Sequence, residues 1–546
     1  MSNKKFYPLL IVISATFFFV PFLGSVHLFD WDEINFAESA REMIVTGNFS
    51  RVQIDFQPFW EKPPLFFWMQ AGCMKVFGIN EFAARLPNAI FGVISILTFY
   101  YIGRKHYDEK FGLIWALAYM GSFLPHLYFK SGIIDPAFNY FIFLTFFFLF
   151  KSINEQGERR PILYAFAAGI AIGLATLTKG PVGLLIVSIS MIIYWVSVRF
   201  KKITNFKNIF VFAVSFILVS SLWFGFEMIK NGSWFLTEFI RYQADLFLKP
   251  VAGHSGPVYY HFLIVFLGCF PISVLALPLF LSKKSTFFKE DTGFLKLMFI
   301  LFWVVMILFT IVKTKIVHYS SLAYFPVSFI ASCFIYELVN NRTTLKKYLL
   351  WIIAITGAVF SILLTAIPLL AQNKEIIIPY IKDPFIAACL NTPVKWNGYE
   401  FSIGIIYFII VLISIIMLNR KKFFKGFLTL SYATSFCMFF YLLEVVPKIE
   451  KYSQAPYINF LQSITGKDVY VSTLRFYSYA PFFYFQKMPG EKAESKDKNW
   501  LLEGAIDKPV YLIVKVTSKD TIEKHSDFKL IKAEGGFLFY LRLPLQ

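Results

Sequence analysis

Residues 30–64 read DWDEINFAESAREMIVTGNFSRVQIDFQPFWEKPP and follow directly on an apolar run, Phe6 to Leu28. They gather Asp30, Asp32, Glu33, Glu38, Glu42, Asp55 and Glu61 beside Arg41, Arg51 and Lys62, in a chain only 16% charged. Charge held where an apolar chain leaves a bilayer is expensive to order and marks a task. The stretch is therefore read as the reaction centre of a membrane enzyme.

Outward from it, the composition fixes the class. Of 546 residues 57% are hydrophobic and 20% aromatic, and the mean hydropathy is +0.59. Apolar runs of about twenty residues, the length that spans a bilayer core, recur along most of the chain. Phe6 to Leu28 is longer than a signal-peptide core and reads as an uncleaved first helix. Further runs lie near Phe82–Ile102, Phe111–Phe129, Pro136–Phe150, Ile162–Leu177, Val182–Val198 and Ile209–Ile229. They continue at Val258–Leu281, Leu295–Val312, Tyr319–Leu338, Leu349–Leu370, Phe401–Leu418 and Phe427–Val446. The expectation is a polytopic α-helical membrane protein of about thirteen transmembrane helices.

The formal charge of +19 does not call for nucleic acid, because the bases cluster in alternate connections between apolar runs, as the positive-inside rule describes. Lys4 and Lys5, Arg104 to Lys110, Lys151 to Arg160, Arg199 to Lys207, Lys283 to Lys296, Arg342 to Lys347 and Arg420 to Lys425 fall on the cytoplasmic side. The loop over 29–80, Lys130 to Asp135, the turn at Lys179, Lys230 to Pro257 and Lys313 to His318 then share the opposite face. The tail over 448–546 is polar, with three strand-like stretches, and reads as a small external α/β domain that caps a transmembrane domain over 1–447. Five scattered cysteines without a CxxC point to neither a disulfide framework nor a cysteine metal site.

Within the first loop, apolar positions at helical spacing from Ile34 to Ile44 predict a helix lying on the membrane surface. Asp30 as its N-cap and Glu33 as the capping-box partner leave Asp32 without a structural duty. Glu61 and Lys62 precede a double proline, which suits both a surface ion pair at a helix entry and a phosphate-binding lysine. Asp135 before Pro136 is either a helix-start residue or part of a site. Lys179, in a tight turn, either snorkels or serves a ligand. Lys313, Lys315, His318 and Tyr319 meet at one hairpin on the face that normally lacks lysine, which favours an anionic ligand. His254 and His318 are candidate substrate or metal contacts, and a divalent ion is left open. No HExxH, Walker loop or GxSxG signals another chemistry.

DEINFAESAREM (32–43), WEKPPLFFW (60–68), INEFAARLPNA (79–89), LTKGPVG (177–183) and KTKIVHYSSLAYFP (313–326) stand in an order that resembles the ArnT-like glycosyltransferases. These belong to the GT-C class, with the protein O-mannosyltransferases. The resemblance runs from the first span to about the tenth. It implies the GT-C fold and a membrane enzyme that moves a sugar, aminoarabinose-like or another pentose or hexose, from a polyisoprenyl-phosphate donor. The acceptor would be lipid A or another envelope glycolipid at the periplasmic face of the inner membrane, reached with inversion. It places Asp32 as the catalytic carboxylate and Asp135 as a second acid, with Glu33 a further catalytic candidate. Lys62 would hold the lipid phosphate, aided by Tyr319 and by Lys179, Lys313 and Lys315. Asn35 and Phe36 depart from the Arg and Tyr usual in the family, and the lysines of the hairpin are then expected to replace that arginine. Readings from other classes are a protein O-glycosyltransferase and a lipid-linked sugar flippase; polar groups at an external loop, without repeated halves, rank transport lower.

Overall fold

The computed structural model of the chain describes residues 6–249, 255–282 and 293–544. His254 and the bases Lys4, Lys5, Lys283, Lys284 and Lys289 lie outside the described residues. Among the described residues eight helices are long and apolar enough to cross a bilayer, or nine if the bent pair Phe206–Ser221 and Phe224–Asn231 is one span. Shorter apolar helices add Phe6–Phe19 (α1), Leu65–Phe77, Val182–Ser197 and Ile272–Leu281. The chain is a multi-pass integral membrane protein.

Three expected spans are broken. Phe111–Phe129 divides into Glu109–Met120 and Phe123–Phe129 at Gly121, where a side chain would meet Ser431 at 2.6 Å. Val258–Leu281 divides into Tyr260–Gly268 and Ile272–Leu281 before Pro271, which has no N–H to continue the helix. Ile209–Ile229 bends by 47° between its two helices. Apolar composition alone does not distinguish one long helix from two shorter ones in the same layer.

The first loop departs most from its expected form. Helix α2 (Asp32–Thr46) does not lie on a membrane surface, since every residue from Glu33 to Met43 is buried. What covers it is the chain's own C-terminal region. Leu28 donates its N–H to the Tyr484 hydroxyl at 2.6 Å, Tyr479 donates its N–H to Asp30 at 3.4 Å, and Arg41 donates to the Lys487 carbonyl at 2.7 Å. Asp30 is thus a tether to that region and not the N-cap of α2, which begins without a side-chain cap.

After α2 the loop forms a two-stranded turn, β1 (Gln53–Ile54) with β2 (Gln57–Pro58), and then a helix, α3 (Leu65–Phe77), entered through Pro63 and Pro64. The long helix α4 (Glu81–His106) starts from Asn80, whose side chain accepts the Ala83 N–H at 2.9 Å. Toward the C-terminus, four strands β3 (Tyr470–Leu474), β4 (Val510–Lys515), β5 (Phe528–Glu534) and β6 (Phe537–Arg542) form one sheet in the order β3-β4-β6-β5. β3 runs parallel to β4 and the other pairs are antiparallel. β5 was not legible: it is an edge strand whose inner positions are mostly exposed, so it lacks the apolar signal of its neighbours.

Candidate active site

The first loop, the starts and ends of several apolar helices and the hairpin before Tyr324 enclose a cavity of about 740 Å³. Asp32, Glu61, Lys62, Asp135, Lys179, His318 and Tyr319 all line it. Residues far apart in sequence are brought to one place, and each is held there by identifiable contacts.

Asp32 is the first residue of α2, and its side chain is 38% exposed. Glu33, its neighbour, is only 4% exposed and pairs with Arg85 of α4 at 2.7 Å. Its carboxylate also accepts the N–H of Phe29 at 2.9 Å and the N–H of Gly132. Burial would raise the Glu33 pKa, but the Arg85 guanidinium and the two N–H donors outweigh it and hold Glu33 below the ordinary carboxylate range. Arg85 in turn donates to the carbonyls of Leu23, Val26 and His27 at 2.7–2.9 Å. The Glu33–Arg85 pair therefore clamps the segment between α1 and α2, the start of α2 and the loop before Asp135 together, which positions Asp32 beside it.

Asp135 opens a second helix, α5 (Asp135–Asn154), and makes no capping bond. Its position is set by Asn88 of α4, which donates to the carbonyls of Ser131 and Ile133 at 2.6 and 2.5 Å. Lys179 closes α6 (Arg159–Lys179), and its ammonium lies 2.6 Å from Asp135. The turn after it needs Gly180: its φ is +90°, and a side chain there would meet Phe239 at 2.3 Å. Lys179 neither snorkels nor stands alone; it pairs with Asp135 and rests 5.1 Å from the Tyr319 ring centroid. His318 Nε2 stands 3.8 Å from both Asp32 Oδ2 and Asp135 Oδ2, between the two acids.

Lys62, in the same cavity, lies 4.0 Å from Glu61 and over the ring of Tyr242 at 5.1 Å. Burial pushes the Lys62 ammonium below the ordinary lysine range, and the neighbouring Lys179 charge adds to this against the pull of Glu61. Tyr242 belongs to α7 (Trp234–Leu248), a helix inside a stretch read from sequence only as an external connection. Burial and the Glu61 carboxylate both raise its hydroxyl pKa, so it stays protonated.

The hairpin lysines do not join this group. Lys315 is buried, and its ammonium donates to the carbonyls of Phe309 and Thr310 at 2.8 and 2.7 Å, closing the end of the helix Phe294–Ile311. Lys313 is exposed and is not among the cavity-lining residues. The expected substitution of hairpin lysines for the missing family arginine is therefore not what the geometry shows. Lys62 and Lys179 are the lysines of the cavity.

Among the described residues no three His, Cys, Asp or Glu side chains gather in an arrangement that could hold a metal ion. Beside Asp135, a cation's position is already taken by the Lys179 ammonium. Sequence reading missed Arg85, Asn88, Asn139, Tyr242 and Gln243. Asn139, one turn after Asp135, lines the same cavity and donates to Ser321 at 2.7 Å, so its i, i+4 spacing was the available signal. Arg85 and Asn88 lay inside a quoted motif, but no spacing rule reveals contacts made with loops elsewhere in the chain.

A family profile described as dolichyl-phosphate-mannose-protein mannosyltransferase matches residues 61–224. The crystal structure of ArnT from Cupriavidus metallidurans bound to undecaprenyl phosphate superposes with a TM-score of 0.80, covering 99% of this chain and 98% of that one at 15% identity. The chain has the ArnT-like GT-C fold. Curated sequences align over part of it, among them these two. An uncharacterised protein of Aquifex aeolicus (strain VF5) is 29% identical over 52% of this chain and 62% of its own length. The undecaprenyl phosphate-alpha-4-amino-4-deoxy-L-arabinose arabinosyl transferase of Wigglesworthia glossinidia brevipalpis is 25% identical over 63% of this chain and 62% of its own. The chain thus spans less than two thirds of the length of these relatives. In this chain the region that carries the sheet of β3 to β6 supplies the tethers that hold α2.

Proposed function

We propose that this protein is a glycosyltransferase that moves a sugar from a polyisoprenyl-phosphate donor to an envelope acceptor. The observation that carries the reading is the pairing of two carboxylates with two lysines in one cavity. Asp32 and Asp135 both stand 3.8 Å from His318, with Lys62 and Lys179 lining the same cavity. Transfer from a lipid phosphate needs a base or positioning group at the attacking hydroxyl and cations where charge develops on the departing phosphate. Asp32, more exposed than any other acid of this cluster with an ion-pair contact, serves as the base for a hydroxyl acceptor or positions an acceptor that is already ionised. Asp135 is held by Lys179 and orients that lysine, so Lys62 and Lys179 receive the phosphate. Glu33 holds the site together and does not take part in the transfer.

Single displacement then inverts the anomeric centre, because the acceptor oxygen enters on the side opposite the departing phosphate. Likeness in fold to an ArnT bound to undecaprenyl phosphate and similarity to aminoarabinose transferases support a bacterial polyisoprenyl donor and a glycolipid acceptor such as lipid A. The charge pattern of the connections supports an inner-membrane protein with its N-terminus cytoplasmic and this cavity periplasmic. The test is transfer of label by the purified protein in nanodiscs, from a panel of polyisoprenyl-phosphate sugars to envelope lipid extract. The expected product has inverted configuration; a product with retained configuration rules out single displacement, and binding without transfer favours a flippase.

A further inference from the structure

A separate cavity, of about 220 Å³, lies toward the ends of α5 and α6 that are remote from Asp135 and Lys179. α5 runs 20 residues from Asp135 to Asn154, about 30 Å at the helical rise, so this cavity and the reaction cavity lie toward opposite membrane faces. Ser152 of α5, Ala165 of α6, Ser188 of the helix Val182–Ser197 and Phe212 of the helix Phe206–Ser221 line it, together with Thr204 of the link between the last two. The lining is mostly apolar, and its polar groups brace the walls. Ser152 donates to the Pro161 carbonyl at 2.8 Å, and Asn208 donates to the Thr204 hydroxyl at 3.3 Å. An apolar slot between helices at this depth suits an acyl chain.

Its rim is basic and unbalanced. Lys201, Lys202 and Lys207 flank the lining residues Ile203, Thr204 and Asn208 in the chain. All three lysines are exposed, and none has an ion pair or side-chain hydrogen bond among the described residues. On the α5 and α6 side the bases are already matched, Lys151 and Arg160 sharing Glu155 at 3.3 and 3.8 Å. Free positive charge is therefore collected on the link over 198–205 and the start of the helix after it. Trp195 donates its indole N–H to the Lys201 carbonyl at 3.2 Å and packs edge-on against Phe200, and all three aromatic side chains of this region, Trp195, Phe200 and Phe206, are exposed. Exposed aromatics beside lysines mark the level of the lipid head groups.

We propose that this cavity is a binding site for an anionic glycerophospholipid, with one acyl chain in the slot and the phosphate on Lys201, Lys202 and Lys207. The charge pattern of the connections puts this face on the cytoplasmic side, where basic pockets between helices hold acidic head groups. Charge decides the class of lipid. A zwitterionic head group brings an ammonium of its own beside three lysines that have no acid to share, whereas phosphatidylglycerol brings only the phosphate. The seated chain fills the gap between the helices and so braces α5 and α6, whose other ends carry Asp135 and Lys179.

The experiment is native mass spectrometry of the full chain in detergent, titrated with phosphatidylglycerol or with phosphatidylcholine of the same acyl chains. One phosphatidylglycerol should be retained roughly tenfold or more above phosphatidylcholine, the scale expected when several lysines meet one acidic head group. The triple variant Lys201→Gln/Lys202→Gln/Lys207→Gln should bring phosphatidylglycerol down to the level of phosphatidylcholine. Ser188→Trp, which fills the cavity and leaves the lysines in place, should lose most of the retained lipid as well. Two controls locate the effect. Arg420→Gln/Lys421→Gln/Lys422→Gln alters a basic connection that does not line this cavity, and Lys62→Ala removes a cation of the reaction cavity; both should retain phosphatidylglycerol like the parent protein. Added phosphatidylglycerol should raise the melting temperature of the parent and leave that of the lysine variant unmoved, which also shows that each variant is folded. Equal retention of the two lipids, a loss in either control as large as in the lysine variant, or retention unchanged in Ser188→Trp overturns the proposal.

Discussion

The first loop and the Lys313 hairpin look alike in sequence and differ in the fold. Each brings lysines and other polar groups to the ends of apolar helices, and each was expected to supply cations to one site. Lys62 of the loop lines the large cavity, whereas Lys315 of the hairpin turns back to close the helix Phe294–Ile311 and Lys313 is exposed and not part of the lining. The hairpin's contribution is His318 and Tyr319. A lysine near a helix end answers first to unpaired carbonyls, and it serves a ligand only where those carbonyls are satisfied by other donors.

The sharpest way to break this comparison is to exchange the acids. Asp32→Asn should lower transfer by about a hundredfold to ten-thousandfold, the range for losing a positioned base, without altering the melting temperature. Arg85→Ala should act oppositely. Removing one partner of a buried pair costs about 3–5 kcal/mol, so thermal unfolding and yield should fall first.

The lysines sharpen it further. Lys62→Ala should reduce kcat/KM for the donor by about tenfold to a hundredfold, the scale of a lost charge-assisted contact to phosphate, and Lys313→Ala should leave it within about twofold. Lys315→Ala should cost about 1 kcal/mol of stability through the uncapped carbonyls and spare donor affinity.

The pH dependence distinguishes the same two regions. Lys62 binds phosphate only as the ammonium, and burial lowers its pKa, so donor affinity should decline on the alkaline side below the pH at which an ordinary lysine titrates, about 10.4. Lys62→Arg should move that limb upward. The smallest effect concerns Glu42, also in α2. Burial and the neighbouring Glu38 raise it to about 9, so it is protonated when folded at neutral pH. A raised carboxyl contributes stability that is fully present below its unfolded value of about 4.5 and is lost as pH rises toward 9. Glu42→Gln should therefore raise the melting temperature at pH 8–9 by a few degrees at most and converge with the parent protein at acid pH.

Much of this was legible because hydrophobicity and charge are written locally. Runs of apolar residues located the spans, and Asp32, Lys62, Asp135 and Lys179 stood out as charges at helix ends. What sequence did not show is direction. Asp32 and Glu33 are adjacent carboxylates, and only Arg85, fifty-two residues after Glu33, engages one in a buried pair and leaves the other partly exposed. The burial of α2 was equally hidden, since its cover comes from Tyr479, Tyr484 and Lys487, more than four hundred residues away.

The most direct test of the central claim measures label transfer from a polyisoprenyl-phosphate sugar by the parent protein, Asp32→Asn, Lys62→Ala and Lys313→Ala, each shown to be folded by its melting temperature. The account predicts transfer by the parent and Lys313→Ala, near-complete loss in Asp32→Asn, and a fall of about tenfold to a hundredfold in Lys62→Ala. Transfer that survives Asp32→Asn, or that depends on Lys313 and not on Lys62, would contradict it.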